Sequence, residues 1–193
     1  MVTHAELVDS FGENQVSTLS WEFVEQHVTD ADARRVLSEV GLPESLLDIL
    51  AIGDFRRRQP PTLGEMLGST SRGLPNHTLN YLVIATGMGG AACLNGSDGR
   101  VYWFKAGDRF SFDLINSSLD LFVEMLHRIW CDLEDLDLGL EDEDDEDGQG
   151  DDVADTLRRL VTELRPVDPE SFESPVKFWQ HVILFALRHI AEQ

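Results

Sequence analysis

Four short apolar stretches decide the fold: Tyr81-Leu82-Val83-Ile84-Ala85, Ala91-Ala92-Cys93-Leu94, Val101-Tyr102-Trp103-Phe104 and Phe110-Ser111-Phe112-Asp113-Leu114-Ile115. Each is apolar, β-branched or aromatic and bounded by turn formers, which is the pattern of a strand. Gly87-Met88-Gly89-Gly90 and Asn95-Gly96-Ser97-Asp98-Gly99 stand between them. These are residues that tolerate positive φ, so successive strands are expected to turn back as hairpins and form an antiparallel meander.

Outward from the meander the period changes. Asn116-Ser117-Ser118 offers side-chain acceptors for a helix start, and Leu119, Phe122, Val123, Leu126, Ile129 and Trp130 then recur at helical spacing. A further helix is expected from about Asp152 to Leu164, ended by Pro166. Ser174-Pro175 reads as the cap and first-turn proline of a last helix with Phe178, Trp179, Val182, Ile183, Ala186, Leu187 and Ile190 on its apolar stripe. On the N-terminal side, Thr3 and Glu6 have capping-box spacing for a helix that Gly12 ends. A second helix, about Asp30 to Val40, stops at Gly41-Leu42-Pro43. Residues 44–79 read as loop, with a brief strand or helical turn near Leu47–Ile52. Helices, a meander and helices again define an α+β class with a mainly antiparallel sheet flanked by N-terminal and C-terminal helices.

The chain has 193 residues, 42% hydrophobic and 26% charged, which fits a single domain spanning 1–193 with a core of its own. Its net charge of −21 is concentrated. No Lys or Arg occurs between Asp132 and Asp155, and Glu141-Asp142-Glu143-Asp144-Asp145-Glu146-Asp147 is purely acidic. An acidic, disordered insertion is therefore expected at about 137–152. Two readings of it stand side by side: a solvated insertion without a partner, and a docking surface for a basic protein. A field of this sign repels nucleic acid and anionic membranes. Two unpaired cysteines, Cys93 and Cys131, suggest a reducing compartment. The N-terminus has no basic-then-apolar leader, and no run of about 18 apolar residues occurs, so a cytoplasmic location is expected.

The search for chemistry finds little. The glycine cluster at 87–90 lacks phosphate-loop spacing and is followed by a strand, so it reads as a turn. His127 and Cys131, four apart on one helix face, suit a metal or a thiol–imidazole pair, but two ligands make no site and such a pair is more often ordinary helix packing. His181 and His189 lie on or beside the last apolar stripe, and His4, His27 and His77 fall in unrelated segments. No GxSxG elbow is present. An EF-hand begun at Glu143 places Gly148 correctly but Ala154 where Glu is needed. Arg56-Arg57-Arg58 reads as an exposed basic loop. No nucleophile, base and orienting group can be assembled, so neither an enzyme nor a cofactor or metal is expected.

Five stretches in order carry a resemblance. They are Arg34-Arg35-Val36-Leu37-Ser38-Glu39-Val40-Gly41-Leu42-Pro43; Ile84-Ala85-Thr86-Gly87; Ala92-Cys93-Leu94-Asn95 with Asp98-Gly99-Arg100-Val101-Tyr102; Ile115-Asn116-Ser117-Ser118-Leu119-Asp120-Leu121-Phe122; and Val167-Asp168-Pro169-Glu170 before Phe178-Trp179. From about Val28 to Ile190 the chain resembles the fourth group of the SUKH superfamily of bacterial immunity proteins. The resemblance implies a mixed sheet with flanking helices and a protein that binds and neutralises a toxin without catalysis. Toxins opposed by that superfamily include nucleases and deaminases, which are often basic. Glu141, Asp142, Glu143, Asp144, Asp145, Glu146, Asp147, Asp151 and Asp152 are then the candidates for attracting the partner, with a hot-spot cluster elsewhere. The alternative is a scaffold or regulatory adaptor that binds a housekeeping protein with the same sheet.

Overall fold

A computed structural model describes the chain except Asp48, Asp54, Arg56, Arg57, Arg72, Asp108, Arg109, residues 135–148, Val176, Glu192 and Gln193; for residues 149–153 and Ala191 it describes the backbone alone. Helix α1 (His4–Phe11) carries the expected capping box: Thr3 Oγ1 accepts the Glu6 N–H, and the Glu6 carboxylate accepts the Thr3 N–H at 2.8 Å. Strand β1 (Val16–Ser17) follows, then α2 (Trp21–His27). The sequence reading missed α2, since seven residues burying only Phe23 and Val24 give no readable period. The expected second helix is two pieces. In α3 (Ala31–Arg35) Asp30 caps the Ala33 N–H at 2.8 Å; over Val36–Val40 the spiral then widens into a π turn. The Gly41 N–H reaches back to the Val36 carbonyl at 2.7 Å. Gly41 has φ 87°, and a Cβ there would lie 2.9 Å from the Ser17 carbonyl oxygen, so only glycine fits.

Strand β2 (Leu42–Pro43) pairs with β1. The stretch read as loop holds β3 (Ser45–Leu46), β4 (Leu50–Ala51), α4 (Leu63–Leu67) and two 3₁₀ turns at Gly68–Ser71 and Asn76–Asn80. The meander follows as expected: β5 (Leu82–Gly87), β6 (Gly90–Leu94), β7 (Val101–Lys105) and β8 (Ser111–Asn116). The main sheet has the order β3-β4-β5-β6-β7-β8, and every neighbouring pair is antiparallel. The glycine cluster is the β5–β6 turn, with Gly87 opposite Gly90. A Cβ at Gly90 would fall 2.6 Å from both the Phe104 carbonyl and the Trp103 ring, which explains the glycine without a phosphate.

The C-terminal layer is α5 (Leu119–Glu134), α6 (Gln149–Leu164), α7 (Pro169–Glu173) and α8 (Phe178–Ala191). Helix α6 begins three residues ahead of Asp152, so the end of the expected insertion is helical. Ser174-Pro175 does not open the last helix. Asp168-Pro169 opens α7 instead, with proline in its first turn, and the chain turns again before α8. One face of the sheet, with Leu82, Ile84, Leu94, Trp103 and Ile115, packs on helices that contribute Phe122, Leu126, Trp179 and Ile183. The other face has its own cluster, in which Val83, Ala91, Cys93 and Phe104 meet Leu63 of α4 and Leu74. Burial on both faces is why the strands read as continuous apolar runs.

The stretches that carry the resemblance meet as ties between elements. Asp168, 1% exposed, accepts through Oδ2 the Asn116 amide at 3.0 Å and the Ser117 N–H at 2.8 Å, fastening the end of β8 to the start of α7. Arg35 of α3 pairs with Asp120 of α5 at 2.8 Å, and Arg100 reaches Glu170 at 3.6 Å. The Trp179 indole N–H donates to the Ile115 carbonyl at 3.0 Å. Removing Asp168 strands two donors, each costing about 1–3 kcal/mol when buried. Asp168→Ala is expected to lower stability by about 2–4 kcal/mol in urea unfolding, against less than about 1 kcal/mol for Arg100→Ala at its exposed pair.

A second tie has a pH signature. Glu124 is 8% exposed on α5. Burial works to raise its pKa, but Arg128 Nε at 2.8 Å and the Met1 amino group at 3.0 Å outweigh it and hold the carboxyl below 4.5. A carboxyl lowered on folding contributes stability that is complete above its unfolded value and lost as pH falls through the folded one. Glu124→Gln should therefore flatten the stability–pH curve below about pH 4.5 and leave its shape near neutrality unchanged, as read by thermal unfolding across pH.

Candidate partner-binding surface

Strand alternation sends Tyr102 and Phe104 of β7 and Phe112 of β8 to the sheet face away from α5 and α8. They form an aromatic array there. Tyr81 stacks on Tyr102 at 5.7 Å between ring centroids and meets Phe112 edge-on at 6.1 Å. Phe104 lies 5.2 Å from Phe112 and 5.7 Å from Phe110. Leu63, Leu67, Leu74 and Leu79 pack against this cluster, yet Tyr102, Phe110 and Phe112 remain half-buried. Burial, and then the neighbouring Tyr102, push the Tyr81 hydroxyl above 10.0, so it stays protonated at neutral pH.

The opposite face of the same edge opens into a groove of about 280 Å³, where Trp103, Lys105 and Asp113 of the sheet face Phe178, His181 and Phe185 of α8. Phe185 is 47% exposed, whereas Trp103 and Phe178, 4.8 Å apart, are buried and form a fixed floor. Two surfaces of different character thus flank β8: aromatic on one side, mixed on the other. Half-exposed aromatics on a rigid floor beside charged groups have the composition of protein-recognition surfaces.

A wider cleft of about 890 Å³ lies between α2, the 52–61 loop, α4 and β5. Its titratable groups are tied down. His27 bonds the Phe23 carbonyl through Nδ1 at 2.8 Å and stacks on the Phe23 ring. Glu65 belongs to the α4 capping box, where the backbone N–H and hydroxyl of Thr62 lower its pKa. Arg58, the described member of the arginine triplet, lines this cleft. Glu65 and His27 are near enough for the imidazole to help lower the Glu65 pKa, though each is already hydrogen-bonded within its own helical turn.

His127 and Cys131 do meet, and α1 brings a third group that spacing within one helix does not reveal. Ser10 Oγ lies 3.0 Å from His127 Nε2 and 3.5 Å from Cys131 Sγ, and Sγ lies 3.6 Å from Nε2. Among the described residues no set of three His, Cys, Asp or Glu side chains could hold a metal ion. Of the acidic candidates, Glu141 to Asp147 lie outside the described residues, and Asp151 and Asp152 lie in the first turn of α6, their backbone alone described. Helix α5, 16 residues and about 24 Å long, runs from beside Asn116 to Glu134, the last described residue before the acidic stretch. The aromatic array was legible only as strand residues. That Tyr102, Phe104 and Phe112 share a partly open face needs the register.

Among the described residues, the surface best suited to recognition is the aromatic face beside β8. The chain belongs to the SUKH-4 immunity protein family, whose model matches residues 2–185. Comparison with curated proteins and with solved structures gave no match. Immunity proteins of this family are generally non-enzymatic, and membership implies a cognate protein toxin as partner. No described helix is long and apolar enough to cross a membrane.

The two thiols should separate cleanly. Cys93 is fully buried, and burial pushes its pKa up to about 12, while Cys131 is partly exposed. A thiol-exchange reagent at neutral pH is expected to label one cysteine in the folded protein, identified by peptide mapping as Cys131, with Cys93 reacting only after unfolding.

Proposed function

We propose that this chain is a cytoplasmic immunity protein that neutralises its cognate toxin by stoichiometric binding, and that the toxin is a basic protein of the nuclease or deaminase kind. Membership of the SUKH-4 family over residues 2–185 carries the reading. The net charge of −21 supports the choice of toxin, because nucleic-acid enzymes present cationic surfaces to their substrates and an acidic inhibitor both competes there and is steered towards them. The work is divided. Tyr102, Phe110 and Phe112 supply the short-range contact, and residues 141–147 supply long-range attraction.

Such a division predicts distinct kinetic effects. Replacing the acids of 141–147 by Ser and Asn should slow association about tenfold at low salt and change dissociation little, with the effect fading as salt rises. Phe110→Ser should do the reverse, speeding dissociation tenfold or more. The assay is surface-plasmon kinetics with the protein recovered by tagged pull-down at low salt from cells that naturally carry this chain. Protection of cells expressing that protein establishes immunity. Recovery of a housekeeping complex, with no protection against any toxin, would replace this reading with the adaptor one.

A further inference from the structure

The main sheet ends in two unlike edges. Strand β3 is two residues long and turns straight into β4, whereas β8 runs six residues, Ser111–Asn116, or about 20 Å. The last part of β8 is closed by its own chain: Trp179 donates to the Ile115 carbonyl, and Asp168 holds Asn116 and Ser117. Over Ser111–Leu114 no described group hydrogen-bonds the strand from the side away from β7. Alternate N–H and C=O groups there point outward, a ready template for another strand. No proline lies in this part of the edge, and α7, which packs against β8, is tied to it at Asn116 and Ser117.

We infer that the Ser111–Leu114 edge of β8 receives an extended segment of the toxin as a seventh strand, a segment alternating basic with apolar residues. The inference rests on the immunity reading and adds the mode of recognition. A strand added beside β8 sends alternate side chains to its two faces. On one face they fall next to Phe112 and the aromatic array, which suits apolar residues. On the other they fall next to Asp113 in the groove bordered by Phe185. Asp113 has neither an ion pair nor a side-chain hydrogen bond among the described residues, although Lys105 lines the same groove. A lysine or arginine of the incoming strand supplies the missing charge and lays its aliphatic stem on Phe185. Charge also excludes a second copy as the occupant. Two β8 strands paired antiparallel about Asp113 would set carboxylate against carboxylate between chains of net charge −21 each.

The test uses the full chain and a synthetic peptide, acetyl-Lys-Val-Lys-Val-Lys-Val-Lys-amide, with its Glu-for-Lys counterpart as control, at physiological salt. Amide exchange is followed residue by residue by NMR. At saturation the basic peptide should slow exchange at outward-facing amides of Ser111–Leu114 tenfold or more, with β3 unchanged and the acidic peptide inert. Asp113→Lys should abolish this protection while unfolding at the wild-type temperature; Asp98→Lys, in an exposed turn, should preserve it. No protection on β8, or protection confined to the 52–66 cleft or to the 135–152 stretch, overturns the proposal. So does protection that grows with protein concentration in the absence of peptide, which marks self-pairing. In the cell assay, Asp113→Lys that protects as well as wild type overturns strand addition and leaves immunity standing. A wild-type chain that protects against no toxin removes the immunity reading, while the peptide experiment still decides whether the edge accepts a strand.

Discussion

The carboxylate of Asp168 is the fastening on which the rest of the architecture depends. It sits where the meander ends and the helical layer begins, and through one oxygen it holds both the Asn116 side chain and the Ser117 backbone. That contact fixes the direction in which α5 leaves the sheet, because Ser118, the next residue, caps α5 by accepting the Leu121 N–H. It also fixes where α7 starts and hence how α8 returns across the sheet to bury Phe178 and Trp179. Such buried bonds select one arrangement of layers over others of similar hydrophobic burial, even though Asp168 Oδ1 and Asn116 Oδ1 have no hydrogen-bond partner among the described residues. The resemblance visible in the sequence gathers around this junction. Its stretches hold ties between layers.

The legibility of the sequence follows the same division. The meander could be read because apolar runs and glycine-rich turns act locally, and the long C-terminal helices because their stripes persist for several turns. Helix α2 escaped because it spans only seven residues, and α4 with its 3₁₀ turns because its pattern is broken by Pro60, Pro61, Gly64 and Gly68. Ser174-Pro175 misled for a physical reason: a like pair, Asp168-Pro169, stands six residues earlier and opens α7 with its proline, while the Asp168 carboxylate turns away from the helix to Asn116 and Ser117. On the surface, charge was legible and shape was not. Composition reveals how acidic the chain is, but only register reveals that Tyr102 and Phe112 share a face and that Asp113 looks the other way.

The sheet order has a consequence for how the molecule is made. Every strand of the main sheet pairs with its neighbour in sequence; residues 52–81 intervene between β4 and β5, but the ladders from β5 to β8 close over short loops, so the meander can assemble as the chain emerges, before α6 or α8 exists. Strand β8 is the last to be laid down, and its far end is secured only when residues 168–179 arrive to bind Asn116, Ser117 and Ile115. A chain halted before that point would carry a nearly finished sheet with its longest edge unsecured, the form most prone to pairing with its own kind. Completion of the C-terminus is thus what turns an aggregation hazard into a defined, finite edge.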